Sequence, residues 1–201
     1  MKPSPPVPVP AVSRETAERL DQFVALVLAW NRTINLIGKQ DAAQIRARHL
    51  DDSLALLPHL PEGFTRAIDL GSGGGFPGLV LAIATGRPFD LVESDQRKAA
   101  FLREAARVTN APATVHAARI EAVRLAPAPL VTARALAPLA TLLDWATPLL
   151  APGGVCVFPK GRTAEQELTQ AREQWHMRVE QWSNPLAPDA RILRLSEISR
   201  V

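Results

Sequence analysis

The chain has 201 residues, enough for one domain with its own core, and 47% of them are hydrophobic, an ordinary globular share. A net charge of +3, carried mostly by arginines spread along the chain, is too small and too scattered to mark a nucleic-acid surface by itself. The single cysteine, Cys156, excludes an intrachain disulfide framework, no apolar run reaches membrane-span length, and MKPSPPVPVP lacks the apolar segment of a signal peptide, so the protein is expected in the cytoplasm.

The prolines of residues 1–12 predict an extended, disordered tail. Ser13 suits an N-cap, and Leu20, Phe23, Val24, Val27 and Leu28 recur at helical spacing, so 13–30 reads as a helix. NRTINLIG (31–38) breaks that pattern, and a second helix is expected from near Asp41 to about Leu57, before Pro58. After the turn at 61–63 the rhythm changes. Strands are expected at 66–70, 88–94, 112–116, 129–133 and 154–158, and helices from Pro77 to about Gly86, over 96–109, over 138–150 and over 165–175. Segments 176–182 and 190–195 read as a closing strand pair. Alternating strands and helices predict a doubly wound α/β domain, a parallel sheet covered on both faces, with two helices over 13–60 packed against a domain of 61–201.

The glycines concentrate in AIDLGSGGGFPG (67–78), directly after the first expected strand. In a doubly wound sheet ligands bind beyond the carboxyl ends of the strands, and bare backbone lets a ligand approach closely. Two cofactor classes remain open on spacing alone. Gly73-x-Gly75-x-x-Gly78 fits a dinucleotide fingerprint, while Asp69-x-Gly71-x-Gly73-x-Gly75 fits the loop of S-adenosylmethionine (AdoMet) methyltransferases. Glu93, at the end of the second strand, could hold ribose hydroxyls of either. No later region reads as a separate substrate domain and no proton-transfer pair is visible, which favours AdoMet over a hydride-transfer enzyme. An NAD-binding oxidoreductase and a non-catalytic RNA- or ribosome-binding protein stand as the alternatives.

The wider string NRTINLIG…RHLDDSL…AIDLGSGGGFPG…LVESDQRKAAFLREAA…ARIEAV…TARALAPL…GGVCVFPKG resembles the RsmG (GidB) family of 16S rRNA (guanine-N7)-methyltransferases, in order from about Asn31 to Gly161. The resemblance implies a class I AdoMet-dependent methyltransferase fold with an N-terminal helical extension. It implies AdoMet contacts at Gly71, Gly73, Gly75 and Phe76, ribose contact at Glu93, the adenine end at Ile120 and Glu121, and Arg134 beside the cofactor. Asn35, His49, Asp52 and Lys160 match blocks on the substrate side, where with Arg134 they would position substrate. No metal is implied, and the partner implied is 16S rRNA or the small ribosomal subunit, met by a monomer. Thr132 and Leu136 are variants on the family's run, and 162–201 matches weakly. The implied chemistry needs no general base, because guanine N7 carries an unprotonated lone pair at neutral pH; positioning can do most of the work.

Each of these residues also has a plainer reading. His49 and Asp52, three apart, could be a surface pair on one helix face. Arg134 could close a strand-end salt bridge, Phe76 could be core, and Lys160 sits on a sheet-edge loop where RNA contact is the sharper reading. Cys156 reads as a buried strand residue, and Trp30, Trp145, Trp175 and Trp182 as packing residues.

Overall fold

The computed structural model describes residues 3–38 and 42–201. Helix α1 spans Arg14–Trp30, opened by Ser13, whose hydroxyl accepts from Thr16 N. Its stripe Leu20, Phe23, Val24 and Val27 is buried. The second expected helix is broken into α2 (Ala42–Ile45), a π-helical turn over Arg46–Leu50, and α3 (Asp51–Leu54), followed by a 3-10 turn at Leu57–His59. The five-residue repeat of that π turn brings Ile45 and Leu50, both fully buried, to one face. The expected start near Asp41 lies outside the described residues.

The sheet follows. β1 (Ala67–Leu70) leads to α4 (Gly78–Thr85), β2 (Phe89–Val92) to α5 (Gln96–Val108), and β3 (Ala113–His116) through a 3-10 turn at Ile120–Ala122 to β4 (Ala128–Ala133). Next come α6 (Leu139–Ala146), β5 (Leu150–Lys160), α7 (Ala164–Ala171), β6 (Trp175–Asn184) and β7 (Ala187–Arg200). The helix expected over 165–175 stops at Ala171 because Trp175 opens β6 and is buried in the core. The closing strands run longer than expected, pairing Trp175 with Arg200 at one end and Asn184 with Ala187 at the other.

The strand order is β3-β2-β1-β4-β5-β7-β6. β1 to β5 are parallel, while β7 is antiparallel to both β5 and β6. That antiparallel insertion departs from the dinucleotide-binding order 3-2-1-4-5-6. It is the sheet of a class I AdoMet-dependent methyltransferase, as the resemblance implies.

Alternate strand residues feed two cores, one on each face. Ala67, Phe89, Leu91, Leu130 and Val157 pack with α1, α4 and α5. Ile68, Leu70, Val92, Val131, Cys156 and Phe158 pack with α6 and α7. Burial pushes the Cys156 thiol up, so it is an inert core residue. The extended tail is not free along its length. Ser4 N donates to Gln181 O, Ser183 N donates to Ser4 O, and Val9 and Val12 pack against the first core. Among the described residues no helix is long and apolar enough to cross a membrane, and no group of three or more metal-binding side chains occurs.

Candidate active site

The carboxyl ends of β1, β2 and β4 open into a cavity of about 500 Å³. Its floor is the glycine loop. Gly71 has φ +65° and Gly73 φ +53°, the left-handed region that favours glycine. A Cβ on Gly71 would come within 2.6 Å of Leu136 Cδ1, so this glycine answers to its neighbour as well as to any ligand. Gly75 does not face the cavity; its absent Cβ makes room for Phe23 and Leu79. Gly78 likewise leaves room for the Asp69 side chain, whose carboxylate Oδ2 lies 2.6 Å from where a Cβ would stand. Two of the three dinucleotide-fingerprint glycines are thus packing residues.

Asp69 is fully buried under the loop. Thr132, its register partner on β4, donates its hydroxyl to Asp69 Oδ1 at 2.6 Å. Burial pushes the Asp69 carboxyl up to about 6. Glu93 follows β2 and lines the cavity. Its Oε2 accepts from Gly73 N at 2.8 Å and its Oε1 from Asp95 N at 2.7 Å, which aims the carboxylate and leaves lone pairs for a ligand. Ile120 and Glu121 line the far wall from their 3-10 turn.

A second cavity, of about 720 Å³, lies toward β5 and the β6–β7 hairpin. His49, Asp52 and Lys160 line it, and Arg134, Ala135 and Leu136 line both cavities. Arg134 donates to His49 Nδ1 at 2.9 Å and faces Asp52 Oδ2 at 3.4 Å. Asp52 Oδ1 in turn accepts from Asn184 Nδ2 at 2.5 Å. Phe76, 5% exposed, is both core and wall: its ring meets Phe23 at 5.2 Å, His49 at 5.1 Å and the Arg134 guanidinium at 5.4 Å. Burial, then the Arg134 charge, push His49 down to about 4, so the imidazole is neutral near pH 7.

The family model for rRNA small subunit methyltransferase G matches residues 16–189. The chain belongs to this GidB family. The Ribosomal RNA small subunit methyltransferase G of Granulibacter bethesdensis is 59% identical over 190 residues, covering 94% of this chain and 89% of that protein. That of Gluconobacter oxydans is 54% identical over 190 residues, covering 94% and 98%. Among solved structures, cofactor-bound Rv0187 from MTB superposes with a TM-score of 0.60 at 16% identity, over 98% of this chain and 99% of that one. An O-methyltransferase from Bacillus cereus in complex with SAH gives 0.58 at 17% identity, over 88% and 91%. At such identities the two structures speak for the fold.

In this GidB chain the residues named from sequence divide between the two cavities. Gly71, Gly73, Phe76, Glu93, Ile120, Glu121 and Arg134 line the first; His49, Asp52, Arg134 and Lys160 line the second. Gly75 and Asn35 line neither, and Asn35 is exposed. Lys160 is only 8% exposed, and its ammonium donates to Ala137 O and to Glu167 Oε2, each at 2.8 Å. Several wall residues escaped the sequence reading. Leu36 and Ile37 reach the first cavity because Asn31 Oδ1 accepts from both their amides, at 2.9 and 3.1 Å. These bonds span five and six residues, beyond the reach of an Asx turn, so no local signal in NRTINLIG announced them. Trp145, read as packing, lines the first cavity, and Asn184 and Leu186, in the segment read from sequence as a weak match but covered by the family model, line the second. The other tryptophans pack: Trp30 on Phe101, Trp175 under Arg200, Trp182 on His59.

Proposed function

We infer that the protein transfers a methyl group from AdoMet to N7 of a guanine in small-subunit (16S) ribosomal RNA. Membership of the GidB family supports the reaction class. The observation that carries the division of labour is the segment Arg134–Leu136, which forms a common wall between two cavities. A cofactor on one side and a base on the other meet only there.

The first cavity fits AdoMet by its own chemistry. Bare backbone at Gly71 and Gly73 accepts close approach, the anchored Glu93 carboxylate suits two vicinal hydroxyls, and Ile120 gives an apolar wall for adenine. When bound, AdoMet supplies a sulfonium methyl group to the N7 lone pair. The chain's part is positioning, worth up to about 7–11 kcal/mol in favourable cases. Arg134, oriented by His49 and Asp52, is suited to donate to guanine O6, the acceptor beside N7. Lys160 holds the common wall through Ala137 and, with Glu167, the start of α6. Neither an NAD-dependent hydride transfer nor a purely non-catalytic RNA-binding role is favoured by this arrangement. The partner is 16S rRNA or the small subunit, engaged by a monomer in the cytoplasm.

The test is transfer of label from methyl-labelled AdoMet to small ribosomal subunits isolated from cells lacking this enzyme. Stoichiometric label in 16S rRNA is expected. Absence of label from both subunits and free 16S rRNA contradicts the reading.

A further inference from the structure

The β6–β7 hairpin carries a side chain that folding does not account for. Asn184 pairs with Ala187, so the connection is a two-residue turn of Pro185 and Leu186. Turns of this length normally carry glycine, asparagine or aspartate, which tolerate the backbone angles such turns need. Here the tip is leucine. Val108, Leu186 and Val201 are the exposed large hydrophobic residues among the described ones, and Leu186 at 46% exposure lines the second cavity. It belongs to neither core.

Its backbone is nevertheless held firmly. Leu186 N donates to Asn184 Oδ1 at 2.9 Å. Asn184 is 2% exposed, and its Nδ2 donates to Asp52 Oδ1, the carboxylate that faces Arg134. A short chain of polar contacts therefore fixes the turn to the guanidinium shared by both cavities. The remaining wall of the second cavity is apolar around Leu136, Pro138 and Pro159, with the exposed Arg48 at its edge. Apolar surfaces around a cationic edge match a purine nucleotide: the ring faces are apolar, its Hoogsteen edge accepts hydrogen bonds, and its backbone carries a phosphate.

We propose that Leu186 packs on the ring face of the target guanine once that base is extruded into the second cavity. The contact rests on the reading of this cavity as the base site. It gives the exposed leucine a partner, and it makes the C-terminal hairpin part of substrate recognition. An extruded base loses stacking on its neighbours, and an apolar side chain restores part of that contact without competing for the polar edge. Because Leu186 lies on the far side of the common wall from the first cavity, cofactor binding is independent of it.

The experiment compares Leu186→Ala, Leu186→Met and Leu186→Asp with the parent, using small subunits that lack the modification. Leu186→Ala is expected to lower kcat/KM for subunits about tenfold or more, the scale of a leucine side chain's burial. Its affinity for AdoMet by calorimetry and its melting temperature are expected to stay at parent values, as an exposed side chain outside both cores requires. Leu186→Met should recover most of the rate and Leu186→Asp should fall below Leu186→Ala. A Leu186→Ala enzyme within twofold of the parent, or a Leu186→Met enzyme as impaired as Leu186→Ala, overturns the contact. A parent that methylates no small-subunit rRNA removes the reading of the cavity and this contact with it. An active parent with a fully active Leu186→Ala removes the contact alone.

Discussion

The Arg134 guanidinium donates to His49 Nδ1 across 2.9 Å, joining residues 85 positions apart in the chain. Arginine has only donors, so Nδ1 must be the acceptor and the imidazole is neutral, with its proton on Nε2. The contact orients Arg134 where the two cavities meet.

A pH dependence of stability follows. His49 is pushed down to about 4 by burial and by Arg134, and His59 to about 4 by burial and by Arg194. Between that value and the ordinary 6.5 the unfolded chain binds more protons than the native one, so stability rises with pH there and is lost as pH falls through the window. Asp69 works in the opposite sense: raised to about 6, it favours the native state as pH falls below 6, and Asp51, which burial also raises, acts in the same sense, but from pH 7 to 5 the two histidines outweigh them. The melting temperature should therefore drop steadily from pH 7 to pH 5, and His49→Gln should flatten the slope. A melting temperature that holds constant or climbs over that range contradicts the neutral, buried assignment.

Gly71→Ala meets two obstacles. Alanine at φ +65° costs roughly 1–2 kcal/mol, and the new Cβ would stand 2.6 Å from Leu136 Cδ1. AdoMet affinity should fall at least tenfold while circular dichroism shows the fold kept. Adding Leu136→Ala removes the collision but not the backbone strain, so the double variant should regain part of the loss. Full AdoMet affinity in folded Gly71→Ala would separate the loop from the cofactor.

Glu93 anchors Gly73 N and Asp95 N as well as facing the cavity. A charge-assisted hydrogen bond is worth about 1.5–3 kcal/mol, so Glu93→Ala should weaken AdoMet by roughly ten- to a hundredfold. Binding within twofold of the parent would place the ribose elsewhere.

AdoMet or its demethylated product at about 100 times its dissociation constant should stabilise the parent by about 2.7 kcal/mol. NAD at the same concentration should leave the melting curve unmoved; a shift with NAD and none with AdoMet reverses the cofactor reading.

Lys160 separates two accounts of one residue. Its ammonium serves Ala137 O and Glu167, so Lys160→Ala should disturb the common wall, lowering methyl transfer and AdoMet affinity together. A lost phosphate contact instead flattens the salt dependence of rRNA binding by about 0.7–0.9 in log–log slope. Binding titrations at two salt concentrations decide between them; a flattened slope with intact AdoMet affinity would make Lys160 an RNA contact.

The sheet was legible because its strands are short, apolar and punctuated by glycine and proline. Elements failed where tertiary packing overrode local pattern. Helical spacing through RHLDDSL concealed the π turn that aligns Ile45 with Leu50, and a helix-like run hid the strand that begins at Trp175. The lining of the first cavity could be read from Gly71, Gly73 and Glu93, since bare backbone and a strand-end acid carry their own chemistry. Gly75 looked the same on paper, yet it serves Phe23. Leu186 carried no signal at all: a lone leucine beside a proline in a turn gains meaning only when the hairpin folds over the second cavity.

The most direct test of the account is chemical mapping of the methylated atom. Small subunits lacking the modification are incubated with the protein and AdoMet, and 16S rRNA is then reduced and cleaved with aniline, which breaks the strand at N7-methylguanosine. One new protein-dependent cleavage at a single guanine is predicted, lost in Arg134→Ala. Methyl label incorporated into the rRNA without any such cleavage would contradict transfer to N7.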